Sequence, residues 1–184
     1  MLGLPYGTVK LAPPCPQWKA YYAAEAVRLH AAIGPCVVEI CHIGSTAIPN
    51  MWAKPVIDIM AGMRDITRVT ECVGPLQTLG YAYKGEQAIP NWHFFIKGKG
   101  QLKTHHLHIV VWGSEYWVTH LLFLDYLCRR PDIAAAYEDL KLQLARNFPE
   151  NRERYTENKA EFIQSVIKMA RQDVAYTTPL DVMA

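Results

Sequence analysis

The stretch His42–Met60, H-I-G-S-T-A-I-P-N-M-W-A-K-P-V-I-D-I-M, constrains the fold most. The apolar, β-branched run from Cys36 to Ile43 reads as a strand that ends at Gly44-Ser45. A second run, Val56 to Ala61, is apolar on both faces and reads as a central strand. It carries one carboxylate, Asp58, thirteen residues after Ser45. A charge in an apolar strand is costly unless it meets a partner or opens on a crevice. Backbone N–H groups at a glycine turn cradle phosphate oxygens well. A carboxylate on the next strand suits a divalent metal beside them. Gly44, Ser45 and Thr46 are therefore candidate phosphate contacts, with Lys54 or a metal as the partner of Asp58.

The rest of the chain sorts by periodicity. Gly7–Leu11 reads as a short strand broken by Pro13, Pro14 and Pro16. Apolar residues at helical spacing predict a helix over Gln17–Ile33, ended by Gly34-Pro35. Asp65–Leu79 reads as a helix capped by Asp65, with Gly74-Pro75 a candidate break. Tyr81–Lys84, His93–Lys97 and Leu102–Trp112 read as strands. Helices follow over Glu115–Cys128, Asp132–Asn147 and Asn151–Arg171, and the tail 176–184 reads as loose. This is an α+β pattern: a mixed sheet with flanking helices, then a C-terminal helical cap, in one domain over 1–175.

Two same-face histidines, His106 and His108, stand on the long strand, with His105 on the other face. With Asp58 they would make a 2-His-1-carboxylate set suited to Zn, Mn or Fe. Lys54, Lys141 and Lys159 are candidate phosphate partners, the last two one turn after Tyr137 and Tyr155. Trp92, Trp112, Trp117 and Tyr116 read chiefly as core. Asp125 is placed to pair Arg129 at i+4.

Bulk properties narrow the class. The net charge of +2 gives no drive toward nucleic acid or membrane. No apolar run is long enough to span a bilayer, and the start does not read as a secretory signal. Cytoplasmic location is the default expectation. The five cysteines are odd in number and lack C-x-x-C spacing, so they read as reduced.

The chain resembles the GrpB family over most of its length. Gly44, Ser45, Thr46, Pro49, Lys54, Pro55 and Asp58 match the family's central motif. His105, His106, Leu107 and His108 match its H-H-L-H strand. Phe123, Asp125, Tyr126, Leu127 and Pro131 follow its F-R-D-Y-L-R-x-x-P block. Tyr137, Leu140, Lys141 and Leu144 fit its Y-x-x-L-K-x-x-L helix, and Tyr155 and Lys159 its closing Y-x-x-x-K. Leu124 and Cys128 stand where the family usually carries arginines, with Arg129 and Arg130 nearby in another helical phase. Asn50 stands for its usual glycine, and asparagine tolerates the left-handed backbone. The resemblance implies a nucleotidyltransferase-like fold.

The sequence thus favours a pocket at Gly44-Ser45 and Asp58 for a nucleoside triphosphate or other anionic small molecule. The expected activity is nucleotidyl transfer or phosphate-activated ligation with Mg, Mn or Zn. Catalytic candidates are Asp58, His106 and His108, with Gly44, Ser45, Thr46, Lys54, Lys141, Tyr155 and Lys159 binding substrate. Met60, where an active nucleotidyltransferase carries a second Asp, keeps a non-catalytic sensor open as the alternative. So does a metal-dependent enzyme built on Asp58, His106 and His108.

Overall fold

A computed structural model describes residues 2–5 and 7–173 of the chain; the tail reading for 176–184 falls outside them. The strands are β1 (Leu4–Pro5), β2 (Glu39–Ile43), β3 (Ile57–Met63), β4 (Tyr81–Glu86), β5 (His93–Lys99) and β6 (Leu102–Val111). They form one mixed sheet in the order β2-β3-β6-β5-β4, with β1 pairing the start of β6. The β3–β6 pair is parallel and the other pairs are antiparallel. The helices are α1 (Gln17–Ile33), α2 (Val69–Thr78), α3 (Glu115–Arg129), α4 (Pro131–Asn147), α5 (Arg152–Glu157) and α6 (Ala160–Gln172).

Alternation along β3 divides the protein into layers. Ile57, Ile59 and Ala61 point to one face and join Leu107, Ile109 and Phe95 under α1 and α2. Met60 points to the other face and packs with Ile43, Val110 and Trp117 of α3. Both faces of β3 are thus covered, as its two-sided apolar sequence requires. Burying an Ile or Phe contributes about 1.5–3 kcal/mol, so these two layers fix β3 firmly. A third cluster, with Leu122, Tyr126, Tyr137, Val166 and Ile167, joins α3, α4 and α6 into the helical cap.

Three sequence expectations are corrected. Residues 7–11 are not a strand: Val9 N–H bonds Pro149 O at 2.7 Å, Ala12 pairs with Ala53, and the following prolines cannot extend a ladder. Helix α2 runs unbroken through Pro75. The last helix is two, split at Asn158-Lys159, where Asn158 Nδ2 turns back to Arg154 O at 2.8 Å. Asp65 caps the turn before α2 by accepting from Thr67 N–H at 3.1 Å. Asn50 takes the left-handed backbone, with φ 57°. All five cysteines are free thiols. No helix among the described residues is long and apolar enough to cross a membrane.

Candidate functional site

The parallel register of β3 and β6 sets Asp58 opposite His106 and Met60 opposite His108. His106 Nδ1 lies 2.8 Å from Asp58 Oδ1. A carboxylate only accepts, so Nδ1 carries the proton. His106 Nε2 is buried and has no hydrogen-bond partner among the described residues. Burial alone would raise the Asp58 carboxyl, but the His106 bond and the charges of His106, His108 and Lys54 outweigh it. They hold it well below the usual carboxylate range. The other oxygen, Oδ2, rests against Gly44: a Cβ built there would sit 2.7 Å from it. Gly44 also has φ 71° and ψ −175°, a region closed to other residues at low cost.

The turn after Gly44 closes by Ala47 N–H to Gly44 O at 3.1 Å and Ile48 N–H to Ser45 O at 3.4 Å. The N–H groups of Ser45 and Thr46 have no protein partner among the described residues. Thr46 is largely buried, and its hydroxyl lies 2.9 Å from His42 Nε2. His42 serves Thr46, not Ser45, and stacks on Tyr22 at 4.6 Å.

Asp58 opens into a cavity of about 600 Å³ between the sheet and the helices α3, α5 and α6. Gly44, Ser45, Thr46, Lys54, Asp58, His106, His108, Tyr155 and Lys159 all line it. Lys141 does not. It is 1% exposed, and its ammonium donates to Trp52 O beside the Tyr137 ring. It pins the loop before β3 through Trp52.

Arg152 and His120, which no sequence signal singled out, also line the cavity, as do Tyr116, read chiefly as core, and Tyr137, read only as part of a helix motif. Arg152 and Tyr155 are on α5, and the break after it leaves Lys159 at the start of α6. Lys54 and Lys159 both lie over the Tyr155 ring, at 5.1 and 4.6 Å from its centre. Neither lysine nor the Arg152 side chain has an ion-pair partner among the described residues. Burial, then the charge of Arg152, lowers Lys54 to about 8; burial, then Lys54, lowers Lys159 to about 7. His120 Nδ1 donates to Tyr116 O at 2.8 Å, which leaves a lone pair on Nε2. Burial lowers its pKa.

The expected 2-His-1-carboxylate metal set is not formed. Trp92 Nε1–H donates to His108 Nδ1 at 2.9 Å, so the neutral His108 ring carries its proton on Nε2, the nitrogen a metal would need bare. Burial lowers its pKa to about 3, in keeping with a neutral ring. Asp58 Oδ1 is held by His106, and Met60 is fully buried in the core. Among the described residues, no group of three or more His, Cys, Asp or Glu side chains is placed to hold a metal ion. The donor set does not fit a protein-held divalent ion.

On α3 the cavity meets an apolar stretch where the resemblance implied arginines. Leu124 and Phe123 line the cavity together with Ile163 and Ile167 of α6, all in one apolar cluster. Arg129 pairs with Asp125 at 3.1 Å and Arg130 with Asp132 at 2.8 Å; neither lines the cavity. Trp117 is core, as expected, while Trp92 holds His108.

The family model described as GrpB protein matches residues 8–169. The chain belongs to the GrpB family. It is 33% identical to the glutamate-rich protein GrpB of Alkalihalophilus pseudofirmus, over 91% of this chain and 98% of that one. It is 39% identical to the UPF0157 protein YqkA of Bacillus subtilis, over 85% of this chain but 45% of YqkA. This GrpB-family chain therefore spans less than half of YqkA's length. The crystal structure of GrpB from Enterococcus faecalis superposes with a TM-score of 0.81 at 32% identity, covering 89% of this chain and 98% of that one. The MgGTP-bound Cid1 poly(U) polymerase superposes at 0.51 with 13% identity, covering 74% of this chain and 44% of Cid1. That likeness shows the fold: the GrpB chain has a nucleotidyltransferase-like architecture.

Proposed function

We propose that the cavity binds a nucleoside triphosphate, or a small molecule with comparable clustered negative charge. The protein then transfers a nucleotidyl group or uses the activated phosphate to join two small molecules. One observation carries the reading: three cations without ion-pair partners among the described residues, Lys54, Arg152 and Lys159, line one cavity with the Gly44-Ser45 turn and Asp58. Desolvated cations are costly unless an anion meets them. Phosphoryl chemistry is mostly positioning and charge stabilisation, so fixed cations at the leaving phosphates suit it.

In this reading the phosphates rest on Ser45 N–H, Lys54, Arg152 and Lys159, and His108 Nε2–H donates to them. An acceptor oxygen or nitrogen bonds to the α-phosphorus as the bond to the leaving diphosphate breaks. The acceptor's proton passes to His120 Nε2, whose lone pair His120 Nδ1 leaves free by donating to Tyr116 O. Asp58, kept anionic and oriented by His106, aligns the acceptor. The base and sugar lie along Phe123, Leu124 and Ile163.

Met60 favours a second reading, a binding protein that kept the pocket without turnover. Incubation with α-phosphate-labelled nucleoside triphosphates and a panel of amino acids and hydroxy acids separates the two. Transfer of label, lost in Asp58→Asn with unchanged melting, supports the enzyme. A bound nucleotide with no product across the panel supports the sensor. Retained turnover in Asp58→Asn overturns the role given to Asp58.

A further inference from the structure

We propose that Lys54, Arg152 and Lys159 bind a di- or triphosphate group directly, taking the place of the divalent metal that solution phosphates otherwise bring. This rests on the anion-binding reading above and deepens it. Three features of the site support it. The first is charge: with all three cations protonated against the single carboxylate Asp58, the cluster carries a surplus of two positive charges, 3 − 1. The nearby pair Arg171–Glu115, 2.5 Å apart, cancels itself. A divalent ion would add to that surplus, whereas a polyphosphate alone removes it.

The second is ligand supply. Asp58 Oδ1 is engaged by His106 at 2.8 Å, and Oδ2 abuts Gly44. The next inward position on β3 is Met60, with no exposed surface and no oxygen to offer. Hard divalent cations require several oxygen ligands in near-ideal geometry, and this wall sets the Lys54, Arg152 and Lys159 cations and the His108 Nε2–H around one carboxylate, Asp58, with Glu115 already paired to Arg171.

The third is preorganisation. Tyr155 is 1% exposed and carries both Lys54 and Lys159 over its ring. A buried aromatic ring within cation–π reach of two ammonium groups holds both near it despite their repulsion. Arg152, one turn earlier on α5, adds a planar fork suited to two phosphate oxygens. Both ammonium groups are therefore anchored on the cavity wall before a ligand arrives.

Isothermal titration of the whole protein with inorganic triphosphate at pH 7 tests this, once in EDTA and once with Mg²⁺. The expected result is binding in EDTA with a Kd within about threefold of the Mg²⁺ value. Arg152→Met and Lys159→Met should each weaken it by roughly tenfold or more, the usual size of a lost charged hydrogen bond. Binding that appears only with Mg²⁺ overturns metal-free recognition and leaves the nucleotide reading standing. No binding in either condition overturns both. The wild-type comparison holds even if a variant fails to fold.

Discussion

Asp58 on β3 and His106 on β6 face each other across a parallel strand pair, with Oδ1 and Nδ1 2.8 Å apart. This contact ties the two central strands together at the cavity floor and fixes which way the carboxylate points. His106→Leu removes the donor and should cost about 1–2 kcal/mol at pH 7, the range for a hydrogen bond to a charged group discounted for partial exposure. The Asp58 pKa is depressed by folding, so its contribution is present above the ordinary value of 3.8 and fades as pH falls toward the folded value. Urea denaturation should therefore show the gap between wild type and variant narrowing below pH 3.8. An equal gap at pH 7 and pH 3 would contradict this.

Gly44 meets two demands at once. Its backbone occupies φ 71°, ψ −175°, and Asp58 Oδ2 leaves no room for a Cβ. Gly44→Ala should lose about 2–4 kcal/mol, combining backbone strain with a displaced carboxylate. Asp58→Ala in the same background removes the 2.7 Å oxygen contact but keeps the Cβ at 3.1 Å, so it should recover part of the steric cost and none of the strain. Chemical denaturation of the single and double variants reads both, and a neutral Gly44→Ala would show that the turn is less constrained than its geometry indicates.

The lysines give the site a pH signature. Lys159, at about 7, and Lys54, at about 8, are depressed from 10.5, chiefly by burial. The unfolded chain therefore binds more protons between about pH 7 and 10, and stability without ligand should rise over that window. Lys141, at about 7, adds in the same direction. An anion reverses the sense by favouring the ammonium forms. Triphosphate binding at pH 8 should take up roughly one proton and weaken toward pH 9. Calorimetry in two buffers of different ionisation enthalpy measures the uptake; proton release instead would contradict the placement of the anion on these lysines.

His120 is a proton acceptor in the proposed reaction and has no part in holding phosphate. His120→Gln should lower turnover by about 10²–10⁴, the usual range for general base catalysis. Triphosphate affinity should stay within about twofold. Loss of affinity in parallel with turnover would make His120 a binding residue.

Much of this site was legible in the sequence because its signals are local. Alternation put Asp58 with Met60 and His106 with His108, and the glycine turn announced itself. What was not legible depends on pairing between distant segments. The register that joins Asp58 to His106 links residues on strands far apart in sequence. Arg152 looked like one more charge on a long helix, because the break at Asn158 rests on a side-chain bond to Arg154 O rather than on a Pro or Gly signal. Lys141 looked like Lys159 by its spacing after a tyrosine. Only the packing separates them, sending one to Trp52 O and the other to the cavity. Residues 7–11 had a strand's composition, but their polar groups are met at Pro149 and the neighbouring Ala12–Ala53 bridge.

The most direct test of the account is a thermal melt of the protein with each nucleoside triphosphate, beside the Lys54→Met/Arg152→Met double variant. At 100 times its Kd a bound nucleotide should add roughly 2.7 kcal/mol. The account predicts a clear rise in Tm for wild type that disappears in the double variant. No rise with any nucleoside triphosphate, or an equal rise in both proteins, would contradict it.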